Sequence, residues 1–221
     1  MNDNYQNIRE LFHLDSPCPL PEEDIEQIRK QFGAIPKALE DYYRLCGGCA
    51  EMNATQDFLV TPDGRYGNYH LNLFSYPDYC VFYAENQCVA EWAIKKSDLN
   101  QENPPVYETY DDGRTWHQIC DSVSDFLISE AYMQSALSKE YSSEEFYQMT
   151  PEQFQILSEK FPCAGIYETM QFLQPYQDTV LMISKFKENF SLLYSSDSEE
   201  HFEEIDGIIS EILGFESDEE E

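Results

Sequence analysis

Residues 79–94 are YCVFYAENQCVAEWAI, two short runs of aromatic, β-branched and small apolar residues parted by Glu85-Asn86-Gln87. Runs of this length with a polar turn between them fold back as an antiparallel hairpin, because successive side chains of a strand alternate between its two faces. On that alternation Cys80, Phe82 and Ala84 share one face of the first strand, and Cys88, Ala90, Trp92 and Ile94 share one face of the second. One side of the ribbon is thus expected to meet a core. Turn residues recur nearby at Pro62-Asp63-Gly64, Gly67-Asn68 and Pro77-Asp78, which extends the antiparallel sheet over about residues 57–110.

Helical spacing brackets this sheet. Ile25, Ile28 and Phe32 recur at three and four after an acidic first turn, and Gly33 follows as a stop. A second helix starts with Pro36 at its first position and carries Ile35, Leu39, Tyr42 and Cys46 as a stripe ending at Gly47-Gly48. After Trp116, the stripe Cys120, Val123, Leu127 and Ala131 predicts a helix over about 122–139 that covers the sheet. YSSEEFYQM, residues 141–149, is expected to be a connector. Thr150-Pro151-Glu152 then caps a helix running to about Phe161. Two strands with a turn near Lys187-Glu188-Asn189 come next, with Phe190, Leu192 and Tyr194 alternating, before a last helix with Phe202, Ile205, Ile209 and Ile212 on its buried side.

The formal net charge is −30, from 43 acidic against 13 basic residues, so phosphate backbones and anionic headgroups are repelled. Neither direct nucleic-acid binding nor membrane binding is expected. The same field draws in a basic protein and speeds its arrival in a salt-dependent way, although an acidic surface with no special partner is the plainer reading of charge alone. Residues 141–221, with 19 acidic and 3 basic groups, are the denser anion, and ESDEEE at the end is expected to be disordered. No run of 18 apolar residues occurs, and MNDNYQNIRE lacks the basic-then-apolar order of a secretion signal, which points to the cytoplasm. The seven cysteines are then expected to be reduced and mostly core-filling.

Several chemistries find weak support. Cys46-Gly47-Gly48-Cys49 has the spacing of a redox dithiol or half a zinc site, but Cys46 falls at a helix C-terminus, where thiolate is disfavoured, and no second ligand pair exists. Packing plus a helix stop is the competing reading. His13, His70, His117 and His201 are scattered without a partner at an obvious spacing. Asp111-Asp112-Gly113 lacks the alternating ligands of a calcium loop and suits a turn, and Gly47-Gly48 has no following Lys-Ser or Lys-Thr to cradle phosphate. The expectation is therefore no enzyme, no cofactor, no metal.

The words LPEEDIEQIRKQFG, IPKALEDYYRLCGG, YCVFYAENQCVAEWAI, SDL, PPVY and TWHQICDSVSDFLI, in this order, resemble the SMI1/KNR4 or SUKH superfamily over about residues 18–138. The resemblance implies an α+β domain with helices around a mostly antiparallel sheet and no catalytic residues. It also implies a role as an immunity protein that neutralises a toxin, often a nuclease, or as a regulatory scaffold. Two departures stand out: Glu85-Asn86-Gln87 replaces a turn usually rich in Asn-Gly, and Cys49 follows the double glycine. The expected organisation is an N-terminal helix or arm (1–17), a SUKH-like domain (18–140), a C-terminal α/β extension of helix, hairpin and helix (141–215) and an acidic tail (216–221).

What remains as a site is an acidic and aromatic surface. Asp98, Glu102, Glu108, Asp111, Asp112, Asp121 and Asp125 lie close in sequence to Tyr107 and Tyr110, with Glu130 and Trp116 nearby and Arg114 as a lone cation. Rim carboxylates there would meet a partner's Lys and Arg while an aromatic anchors the centre. The alternative is that the carboxylates merely solvate the sheet and the rings belong to the core. The expected partner is a cognate toxin of basic charge.

Overall fold

The computed structural model describes residues 5–67, 69–167 and 169–214, so the acidic tail lies outside the described residues. The chain forms two compact units, Met1–Gln134 and Ser135–Glu221. The architecture is α+β. No helix among the described residues is long and apolar enough to cross a membrane.

The chain begins with α1 (Gln6–Leu11), α2 (Glu22–Phe32), α3 (Lys37–Cys46) and α4 (Ala50–Asn53). Strands β1 (Phe58–Leu59), β2 (Tyr79–Ala84), β3 (Glu91–Lys95), β4 (Val106–Thr109) and β5 (His117–Cys120) follow, and then α5 (Val123–Ser138). The five strands form one antiparallel sheet in sequential order. Glu22, Glu23 and Asp24 occupy the positive end of α2, its buried side is Ile25, Ile28 and Phe32, and Gly33 terminates it with φ +94°. Pro36 is the N-cap of α3 and Lys37 its first helical residue, one position later than the sequence suggests. Arg44 bridges Glu22 and Glu40 between these helices, and Arg65 pairs with Asp24. The double glycine does not stop α3 by a left-handed turn, since Gly47 is right-handed. Its purpose is close approach: a Cβ on Gly48 would lie 2.5 Å from the Pro19 carbonyl oxygen, where the Gly48 amide donates to Cys18 O at 2.8 Å.

The decisive hairpin departs from simple alternation. A bulge between Val81 and Tyr83 pairs Tyr83 with Trp92 and Ala84 with Glu91, so the second half of β2 changes face relative to Cys80. Phe82 and Tyr83 then both turn toward α5, where Phe126 meets Phe82, Tyr83 and Trp92 at centroid distances of 5.5, 5.8 and 5.7 Å. Cys88 belongs to the turn and is exposed, not to the core face. Both faces of β2 and β3 are covered: Val81 and Ala93 are as buried as Phe82 and Trp92. Helix α5 is buried nearly all round, with Ser129, Gln134 and Ser135 enclosed beside Leu127 and Ala131, which explains why one apolar stripe describes it poorly.

In the second unit the 141–149 segment is not a connector. It forms β6 (Tyr141–Ser142) and β7 (Tyr147–Met149), both paired with β11 (Asn189–Ser196). Strands β8 (Cys163–Tyr167), β9 (Met170–Leu173) and β10 (Thr179–Phe186) complete the order β6-β11-β10-β9-β8, and α6 (Pro151–Lys160) and α7 (Glu199–Leu213) pack on it. Leu181 and Ile183 of β10 and Phe190, Leu192 and Tyr194 of β11 form one core with Leu157, Ile205 and Ile209. Thr150 and Gln153 make a reciprocal capping box at α6. Thr150→Ala is expected to destabilise this unit by about 0.5–2 kcal/mol, read as a lower denaturant midpoint at unchanged slope.

Candidate functional site

Register places the site. Tyr79 pairs with Lys95 and Ala93 with Tyr107, so Tyr79, Lys95 and Tyr107 share the sheet face opposite Trp92. Trp116, two residues before the Gln118 that pairs with Tyr107, joins them. Its ring stacks on Tyr79 at 4.2 Å and meets Tyr76 edge-on at 5.3 Å, while Tyr79 meets Tyr107 edge-on at 5.7 Å. Lys95 Nζ lies 4.6 Å from the Tyr107 centroid. All five side chains are half-buried, leaving ring surface open to solvent. Pairs of this kind contribute about 0.5–1.5 kcal/mol each beyond burial, enough to hold the rings in one arrangement before any partner arrives. An open concavity of about 340 Å³, lined by Asp78, Tyr79, Lys95, Lys96 and Ser97, adjoins the rings.

The β4–β5 turn forms the rim of this patch. Asp111 accepts from Thr109 Oγ1 and the Thr115 amide, both at 2.9 Å, and from Thr115 Oγ1 at 2.5 Å. The Thr115 bonds hold its carboxyl down at about 2, so it is ionised at any physiological pH. Asp112 adopts φ +56° and is exposed. At Gly113 a Cβ would fall 2.2 Å from the Tyr76 ring, which packs close against this residue. Below the ring, burial pushes the Glu91 carboxyl up to about 7, with Asp112 adding repulsion and the Tyr76 hydroxyl donating a bond in opposition.

The residues expected to face a partner divide into two groups. Tyr107, Tyr110, Asp111 and Asp112 belong to the patch and its rim, Tyr110 being 60% exposed. Asp98, Glu102, Asp121 and Asp125 lie away from the β4–β5 turn, toward the end of the sheet where β3 ends and β4 begins. There the Val123 amide donates to Pro104 O at 2.9 Å, Asp121 accepts from Gln118 at 3.0 Å and Asp125 accepts from Ser122 at 2.6 Å. Glu108 faces inward, which corrects its expected place at the surface. It is 3% exposed because it pairs across the sheet with Trp92, whose Nε1 donates to Glu108 Oε1 at 2.9 Å. Glu130 is interior as well. Sequence reasoning missed Tyr76, Tyr79, Glu91 and Lys95. The period-two positions opposite Trp92 carried the signal for the last three.

All seven cysteines are free thiols. Cys46 is buried, donates to Tyr42 O at 3.5 Å and has its thiol pushed up by desolvation, as does Cys49. Neither is poised as a thiolate. Among the described residues no cluster of three or more His, Cys, Asp or Glu is placed to hold a metal ion. In the second unit His201 does find a partner that spacing conceals: Nδ1 lies 2.8 Å from Asp178 Oδ1 and the ring stacks on Tyr176 at 4.1 Å.

The SMI1 / KNR4 family (SUKH-1) model matches residues 19–129, half of the chain. The chain belongs to the SMI1/KNR4 family. No curated protein and no solved structure matches it. The SMI1/KNR4 match contains the whole aromatic patch, from Tyr76 to Trp116. It also contains the departure at the β2–β3 turn, where Cys88 takes the left-handed conformation, φ +55°, that glycine adopts most freely. Glu85 compensates in this SMI1/KNR4 chain, its carboxylate accepting the Gln87 and Val89 amides at 2.8 and 3.1 Å.

Proposed function

We propose that this SMI1/KNR4 protein is a cytoplasmic immunity protein that binds a cognate basic toxin, a nuclease, and blocks its active site or substrate groove by occupancy. The observation that carries the reading is a pre-ordered ring cluster, Tyr76, Tyr79, Tyr107 and Trp116, half-open to solvent and rimmed by Asp111 and Asp112. Aromatics fixed before encounter lose little entropy on docking, and ionised rim groups take positions that substrate phosphates otherwise fill on the toxin. The net charge of −30 speeds encounter with a basic partner and repels that partner's nucleic acid. No covalent step is part of the proposal. Within it, residues 18–140 form the binding domain.

Co-expression with the toxin encoded beside it tests this. Growth should be restored and a complex should elute on gel filtration; continued killing with no complex removes the proposal. A second reading, a regulatory scaffold, is favoured by the separate core and dense acidity of the C-terminal unit. Under that reading partners are still captured when Trp116 is replaced by Ala.

A further inference from the structure

The interior of the first unit holds carboxyls that the aromatic patch does not use. Asp57, in the segment entering β1, is 5% exposed and Glu130, on α5, is 1% exposed. One oxygen of each, Asp57 Oδ1 and Glu130 Oε2, is enclosed without a hydrogen-bond partner. The charged groups facing them are all acidic. Glu85 from the β2–β3 turn acts on Asp57, and Asp57 together with Glu108 from β4 acts on Glu130. The neutral neighbours are Tyr83 of β2, Tyr69 of the β1–β2 connection and the Asn86 amide, which donates to Asp57.

Other local donors are already engaged. Gln134 of α5 spends its amide on Asp57 O at 2.7 Å and Tyr83 Oη at 3.1 Å, and its oxygen takes the Gln56 amide at 2.6 Å. Trp92 Nε1 is taken by Glu108. A carboxylate enclosed without counter-charge or sufficient donors keeps its proton, and two that interact hold protons as a pair.

We propose that Asp57 and Glu130, enclosed where Gln134 fastens the segment entering β1 to α5, both keep their protons in the folded chain, and that full ionisation at alkaline pH releases this segment. Burial, then Glu85, raises Asp57 to about 7; burial, then Asp57 and Glu108, carries Glu130 well above the usual carboxylate range. Both shifts are upward for acids, so the folded state holds protons that the unfolded state has lost. Stability is therefore fullest below the unfolded value near about 4 and declines as pH rises through about 7 for Asp57 and higher for Glu130. Each group weakens the folding equilibrium by at most about tenfold per pH unit across its window.

The test is unfolding between pH 5 and 9 for the native protein, Asp57→Asn, Glu130→Gln and the exposed control Glu102→Gln, with carboxyl ¹³C NMR of the native protein. The folding equilibrium of the native protein and of Glu102→Gln should weaken in parallel. Asp57→Asn or Glu130→Gln should flatten the profile by at least about tenfold between pH 6 and 8. Amide exchange at Gln56 should accelerate beyond its base-catalysed rate over the same interval. At least one of the two carboxyls should titrate above pH 6. Native spectra with both carboxyls titrating below pH 5, or variant profiles parallel to the native one, overturn the proposal; if the variants fail to fold, the native spectra decide.

Discussion

Phe126→Ala is expected to cost about 3–5 kcal/mol, a large share of the stability of a domain this size. Phe126 is fully buried on α5 and its ring meets three others, Phe82, Tyr83 and Trp92, drawn from both strands of the central hairpin. Truncation removes the apolar transfer term and leaves a cavity walled by rings that cannot collapse, because Phe82 and Tyr83 are fixed by the β-bulge beneath them. Denaturant unfolding followed by Trp fluorescence checks this, since Trp92 lines the same space. Phe126→Leu should recover most of the loss. A cost under 1 kcal/mol for the alanine variant would mean that α5 is not the element that organises the sheet.

The same bulge marks where sequence reasoning succeeds and fails. Periodicity finds the helices around Ile25 and Leu39 because each has one buried stripe, and it finds the β10–β11 hairpin because Phe190, Leu192 and Tyr194 alternate cleanly. It misassigns Ala84 because one extra residue reverses the face, and no local pattern announces a bulge. Strands β6 and β7 escape for a different reason: they are two and three residues long and polar, and exist only because β11 offers them an edge. For the patch, Tyr107, Asp111 and Asp112 were legible as neighbours in sequence, and Trp116 stood close to them. Tyr76 and Tyr79 come from a segment some thirty residues earlier and reach Trp116 only through strand pairing. The inward carboxyls Glu108 and Glu130 defeat composition altogether, since acidic residues are rarely enclosed and only tertiary placement reveals them.

Trp116→Ala is expected to weaken toxin binding by about 2–4 kcal/mol, roughly 30- to 1,000-fold in Kd, under the proposed immunity function. Trp116 is the ring that joins the others: it stacks on Tyr79 and braces Tyr76, and its Nε1 donates to Gly113 O at 3.2 Å. Its removal deletes the largest open ring and frees its neighbours, so contact area and pre-ordering are lost together. Half-burial limits the folding cost to about 1–2 kcal/mol, which separates a binding effect from unfolding when both are measured by calorimetry. Gly113→Ala supplies a second route to the same face without touching Trp116. Its Cβ would collide with the Tyr76 ring and strain a residue at φ +75°, displacing Tyr76 from the patch. Asp112→Asn acts on the rim alone and should slow association with a weaker salt dependence while leaving dissociation nearly unchanged. If Trp116→Ala binds the toxin as tightly as the native chain, the partner docks elsewhere, and the four carboxylates at the far end of β4 become the next surface to mutate.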